Sequence, residues 1–271
     1  ALSTEQVVLG FGSDISGLDT AQVAALSVSA VGALTTQQLS SGLGTDSAGL
    51  RTDHLAALGT SALRSLGTNQ IRVLGTDQIL ALSTTQVAGL GTVQLAALTT
   101  RQIRALETTD LTALSSVQVQ SFGIAQVSAL TTDQLTLTDT AQLAKFAAAQ
   151  IGALGTDQWI SLGTSQVAAL STAQIGGLGS LQLSVLATDD IAALSTSQLR
   201  TLSTAQAALL STEQIQWLST AQTSSLTTSQ IQGLLTAQIA GLGTDQVSAL
   251  GTLQLQSLGT SQIGAIEAVD I

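Results

Sequence analysis

The chain predicts an all-α repeat solenoid made of short helical turns with a corner every eight residues, and three observations lead there. The first is the repeat itself. Residues 81–112 read ALSTTQVA, GLGTVQLA, ALTTRQIR and ALETTDLT, and that register runs through 34 octads from Leu2 to Ile266 without net slip. The second is the spacing of the apolar residues, and the third is the chemistry of the residues between them. A fixed short period of this kind is the mark of a stacked architecture, in which one unit cannot bury its apolar side alone.

Numbered from 1 to 8, the octad reads small, Leu, Gly/Ser/Thr, Thr, variable, Gln, Ile/Val/Leu, variable. Thr fills position 4 in 26 octads and Gln fills position 6 in 26. Leu at 2 and the aliphatic residue at 7 lie five apart, and position 7 to the next Leu is three apart. A strand keeps residues on one face at even spacings, so these odd spacings argue against it. The three-residue step, as in Ile79 to Leu82, suits one helical turn. A continuous helix fails too. Eight residues advance about 800°, so the apolar pair would drift by about 80° per octad. The pattern must break once in every octad.

Positions 3 and 4 supply the break, because Gly, Ser and Thr are N-cap residues. Where position 3 is Ser or Thr, Gln stands three later, as in Ser83-Thr84-Thr85-Gln86 and Ser211-Thr212-Glu213-Gln214. That is the S/T-x-x-Q capping box. Acidic residues at position 5, such as Asp77, Asp157, Glu213 and Asp245, suit the positive end of a helix. Gly at position 3 is further expected to end the preceding turn in a left-handed conformation. Each octad is then about one and a half turns and a corner, below the ~12–15 residues that an isolated helix needs. Stacking must supply the rest, through shared apolar rows and a row of Gln amides that both donate and accept. The residues expected in these caps and ladders are typified by Thr76, Gln78, Thr84, Gln86, Thr92, Gln94, Thr244, Gln246, Thr252 and Gln254. The alternative fold is a β-solenoid with Thr and Gln ladders, which the Thr and β-branched content favours.

Departures from register are local. Gly10-Phe11-Gly12-Ser13-Asp14 displaces the large residue by one, Leu43-Gly44-Thr45-Asp46 is shifted until Leu50, and Leu137 stands one place early. Phe122 and Phe146 replace Leu, and Trp159 replaces the aliphatic residue at position 7. Each slip is repaired within about one octad, as rungs that must stay aligned require. The domain organisation expected is a single continuous octad solenoid over 1–271. Because the chain opens on Ala1 with no polar capping repeat, it reads as a segment of a longer array.

Composition narrows function by exclusion. Charged residues are 9% and aromatics 2%, with no Pro, Cys or Met, while hydrophobic content is 44%. That hydrophobicity is too high for simple disorder. The net charge of −10 and the scattered Arg51, Arg64, Arg72, Arg101, Arg104, Lys145 and Arg200 speak against nucleic-acid binding, which needs clustered cations. No apolar run approaches the ~18 residues of a membrane span. His54, the single histidine, replaces a position-6 Gln and reads as a substituted ladder residue rather than a base or ligand. Asp189-Asp190 is the one acidic pair, which makes calcium the one cofactor to consider; each carboxylate also has a structural place, at positions 5 and 6. Trp159 and Trp217 read as packing residues. No cofactor and no catalytic constellation is expected, so an enzyme is not predicted.

The octads LxTxQ(I/V/L), as in SLGTSQIG at 257–264, resemble repeats in very large bacterial surface or secreted, adhesin-like proteins. The resemblance covers the whole chain. It implies extracellular display as a filament, matrix element or cell-surface stalk formed by self-association, and it identifies no ligand. A surface adhesin binding through one face is the alternative, and a water- or ice-ordering Thr array is a third reading.

Overall fold

In the computed structural model, residues 15–267 are described. The chain divides after Thr138 into two compact units. Both use the same element, one short α-helix per octad, except at 38–49 in the first unit. Apart from the last, Thr260–Glu267, each α-helix holds four to six residues. Among the described residues there is no strand, so the β-solenoid alternative is set aside. The fold is an all-α repeat solenoid.

The octad around Gln86 shows how the sequence makes the element. Ser83 is extended (φ −72°, ψ 155°) and its hydroxyl accepts from the Gln86 N–H; Thr84–Ala88 is helical; Gly89 ends the turn in the right-handed region (φ −77°, ψ −14°). Longer versions run to position 1 and turn the corner on two extended residues, as Leu74 (φ −62°, ψ 137°) and Gly75 (φ −75°, ψ 167°) do. The left-handed glycine expected at position 3 is therefore absent. Two extended residues redirect the chain as well as one left-handed residue would, which is why Ser and Thr alternate freely with Gly there. Position 4 is also corrected. Thr84 is the first helical residue, and the cap belongs to position 3 alone.

Within the first unit, helix Thr84–Ala88 packs on Thr60–Ser65 and on Thr108–Ala113, three octads away in each direction. Within the second, Thr164–Ala168 packs on Thr188–Ala193, and Thr236–Ala240 on Thr260–Glu267. Positions 2 and 7 fill the space between coils: Ile79, Leu82, Val87 and Leu90 in one unit, Ile175, Leu178, Ile231 and Leu234 in the other, all buried. Phe122, Phe146 and Trp159 are buried in the same rows.

The register slips have distinct solutions. The Gly10–Asp14 slip lies outside the described residues. Around Leu43 the chain forms a π-helical turn, Gln38–Gly42, followed by a 3-10 helix, Gly44–Gly49. A π turn holds an extra residue, and it lets Leu43 and Leu50 both reach the core. At Leu137 the backbone does not slip. Leu137 is 68% exposed, and Thr138 is buried in the Leu row, its hydroxyl donating to the Gln134 carbonyl.

The irregular turn also creates the tightest backbone approach. A Cβ on Gly49 would lie 2.2 Å from the Thr20 carbonyl oxygen, whereas one on Gly59 would meet nothing within 4 Å. Gly49→Ala should destabilise the chain by about 1–3 kcal/mol through overpacking. Gly59→Ala should stay within about 0.5 kcal/mol of the parent. Urea unfolding of the two variants checks the pair.

Candidate functional site

The feature that recurs throughout the chain is the position-6 side chain, so the site is built from it. Gln86 is buried. Its Oε1 accepts from the Ser83 backbone N–H at 2.8 Å and from the Ser83 hydroxyl at 3.1 Å. Its Nε2 donates to the Leu55 carbonyl at 2.8 Å and the Leu58 carbonyl at 2.7 Å, 31 and 28 residues earlier. Gln94 repeats this with Gly91, Leu63 and Leu66. So does Gln246 with Gly243, Ile215 and Leu218, and Gln254 with Gly251, Thr223 and Leu226. Gln78 caps Gly75 and reaches the Leu50 carbonyl.

The physical logic lies in helix ends. A short helix leaves unsatisfied N–H groups at its start and carbonyls at its end. One primary amide, carrying an acceptor and two donors, answers both: the first N–H of its own helix and the last carbonyls of a helix in the preceding coil. Helices that pack stand 24 residues apart, which sets one coil at three octads; the amide reaches beyond that, to the corner 28 residues back and the helix end 30 or 31 residues back.

The Thr residues expected in the ladder behave differently. Thr76, Thr84 and Thr92 are partly exposed first residues of helices, and Thr244 and Thr252 are exposed ones. Thr84 makes an inter-coil bond, its hydroxyl donating to Asp110 Oδ1 at 2.8 Å. Thr164 does the same to Asp190 at 2.9 Å. Both partners are carboxylates standing where Gln is usual. A carboxylate has nothing to donate, and Asp is one methylene shorter, so neither reaches the carbonyls that the Gln amide serves. Each takes a hydroxyl instead, and caps its own helix through the Glu107 or Ala187 N–H. Burial pushes the Asp110 carboxyl above the ordinary carboxylate range, although the Thr84 and Glu107 bonds oppose the shift.

His54 completes the set. It is fully buried; Nδ1 accepts from the Arg51 N–H at 3.2 Å, and Nε2 lies 3.0 Å from the Leu26 carbonyl, 28 residues back. A backbone N–H can only donate and a carbonyl only accept, so the ring is the neutral Nε2–H tautomer. It keeps the cap on its own helix and the bond 28 residues back, one of the two earlier carbonyls that a Gln amide serves. Desolvation, the largest cause, holds its pKa below 6.5. Beside it Arg51 donates to the Ala24 and Leu26 carbonyls and pairs with Asp53 at 2.7 Å, both side chains being substantially exposed.

Other chemistry is sparse. Asp189 is exposed while Asp190 is buried, where it accepts from the Thr164 hydroxyl and the Ala187 N–H, so the two carboxylates lie in different surroundings. Among the described residues no group of three His, Cys, Asp or Glu side chains is placed to hold a metal. Trp159 is core, and its buried Nε1 has no hydrogen-bond partner; Trp217, expected to pack, is 53% exposed. Arg64 borders an open groove of about 560 Å³ with Val93, Val117 and Gln118. Arg101 and Arg104 border another with Thr76 and Thr100.

Four stretches of the chain, 48–84, 79–108, 103–136 and 183–220, match the ALTTAQ repeat. The chain is a helical repeat protein. The matches together span just under half of it, and the letters of that repeat fall on octad positions 1 to 6, as at 97–102 and 129–134. No curated protein matches the chain.

Two outcomes follow from the bridge. Asp110→Gln restores an amide facing the Ile79 and Leu82 carbonyls and removes a buried carboxylate. It should raise stability at neutral pH by about 1–2 kcal/mol in urea unfolding. His54 binds protons more readily unfolded than folded, so its contribution is complete above pH 6.5 and is lost as pH falls below that value. His54→Gln should remove this component of the stability–pH curve.

Proposed function

We propose that the chain is a structural, non-catalytic repeat protein, displayed outside the cell as a filament, matrix element or surface stalk. The observation that carries this reading is the uniformity of the position-6 bridge. The most polar side chain that recurs in the octad is engaged in holding coils together, which favours a structural role for the repeat. Ala30 and Ala62 stand at position 6 without a polar group, while the polar substitutes His54, Asp110 and Asp190 are likewise tied to backbone or hydroxyl partners. No described helix is long and apolar enough to cross a membrane. The acidic, charge-poor surface favours display in solution over contact with nucleic acid. Extracellular placement rests on the resemblance of the octads to secreted repeat arrays.

A second reading, a surface adhesin that binds through one face, has one feature in its favour. Val93 and Val117, each 68% exposed, flank the groove bordered by Arg64, and an apolar rim around a cation suits an acidic ligand.

Electron microscopy of the purified chain at rising concentration tests the structural reading. Filaments or extended strings of uniform width support it. Dispersed particles at every concentration, with a ligand-dependent change on mutation of Arg64, would move the adhesin to first place.

A further inference from the structure

Cations are unevenly placed along this chain. Residues 64–104 hold four Arg and one Asp, in a protein of net charge −10. Arg101 and Arg104 stand three apart on helix Thr100–Ala105, a spacing that sets two side chains on one face. With Thr76, Thr100 and Ala105 they line an open groove of about 470 Å³. The two threonines begin helices that pack on each other, so the groove lies between successive coils. Both arginines are exposed.

Two neighbouring cations repel unless a carboxylate offsets them, as Asp53 offsets Arg51. Arg101 and Arg104 have no such partner. Arg104 Nε donates to the Ala129 carbonyl at 3.3 Å, which fixes the side chain without neutralising it, and neither arginine forms an ion pair with a described carboxylate. Asp77, at the octad position of Arg101 one coil earlier, is exposed and does not line the groove. The groove offers two planar forks that grip a carboxylate or sulfate through paired N–H groups. It also offers two hydroxyls that both donate and accept. That set matches an anionic sugar, which carries its charged group amid hydroxyls. A nucleic-acid strand is matched less well, because its bases stack on aromatic platforms, and the one described aromatic of this unit, Phe122, is buried. A groove of the same build recurs in the unit. Thr60 and Thr84 begin helices that pack on each other, and with Arg64 and Thr85 they line a groove of about 490 Å³.

We propose that the groove of Thr76, Thr100, Arg101 and Arg104 binds a carboxylated or sulfated sugar unit of an anionic polysaccharide. The guanidinium forks hold the acidic group, and the threonine hydroxyls meet the sugar hydroxyls. Because the groove is open, the polymer continues past the site, and the Arg64 groove is a second point of attachment on the same chain. The inference goes beyond the structural reading above, and either can fail without the other.

Isothermal titration of the full chain at low ionic strength tests it, with alginate oligosaccharides, dextran sulfate, neutral dextran and a single-stranded DNA oligonucleotide as probes. At least one of the two anionic polysaccharides should bind, more weakly as salt rises, and neutral dextran should not. Whichever binds more tightly identifies the acidic group. The Arg101→Gln, Arg104→Gln double variant should weaken that binding by about tenfold or more. Arg200→Gln, which removes an exposed arginine at the octad position of Arg104, should leave it unchanged. Far-UV circular dichroism checks that the variants are folded; Gln already stands at that octad position in Gln120. Failure of both anionic polymers to bind overturns the proposal. So does binding that the double variant retains, or that Arg200→Gln weakens equally. DNA bound more tightly than either polysaccharide overturns the choice of ligand. Each of these results leaves the structural reading standing, since filament formation is seen by electron microscopy of the chain alone.

Discussion

Helix ends are the difficulty of this molecule, and the glutamine amide is the answer to it. A chain that starts and stops a helix in every octad exposes polar backbone groups at a rate no ordinary helical protein does, and it must bury many of them between coils. Unpaired, each would cost on the order of 1–3 kcal/mol. Gln94 illustrates the solution: one Oε1 for the Gly91 N–H, one Nε2 for the Leu63 and Leu66 carbonyls. Asn would be too short, and Glu would offer no donor. The apolar rows at positions 2 and 7 supply the larger share of the burial, but they have no means of fixing the register between coils. The amide does, because it is satisfied at one displacement only.

The substitutions at position 6 show how strict that requirement is. Imidazole at His54 places an acceptor and a donor on opposite sides of a ring and keeps the cap and one of the two inter-coil bonds. Carboxylate at Asp110 and Asp190 keeps the cap, abandons the carbonyls and recruits a Thr hydroxyl. The Thr row thus supplies donors to the carboxylates at Asp110 and Asp190, in addition to starting most of the helices.

Much of this was legible in the octad. The odd separation of Ile79 from Leu82 and of Leu82 from Val87 argued against strands, and Ser83 with Gln86 announced a capping box that the structure contains. Coil length was not legible, for a physical reason. Stacked helices stand three octads apart, and because successive octads carry the same residue types, no longer period in the sequence marks the coil. The left-handed glycine was a wrong expectation because Gly91 and Gly155 look like C-terminal stops, whereas the corner needs only two extended residues. Leu137 looked like a slip because side-chain size was taken to track register; the backbone kept its phase and turned a leucine outward. Trp217 looked like packing on residue type alone, and position 1 put it on the surface.

The one-way sense of the amide bridges bears on synthesis. Each new coil carries its own donors and finds the matching acceptors already in place on the coil made before it. A chain emerging N-terminus first can therefore lock turn by turn behind the exit, without waiting for distant segments to arrive. An array of this design has no length at which folding becomes harder, and it can be extended by duplicating octads without redesigning what is already built.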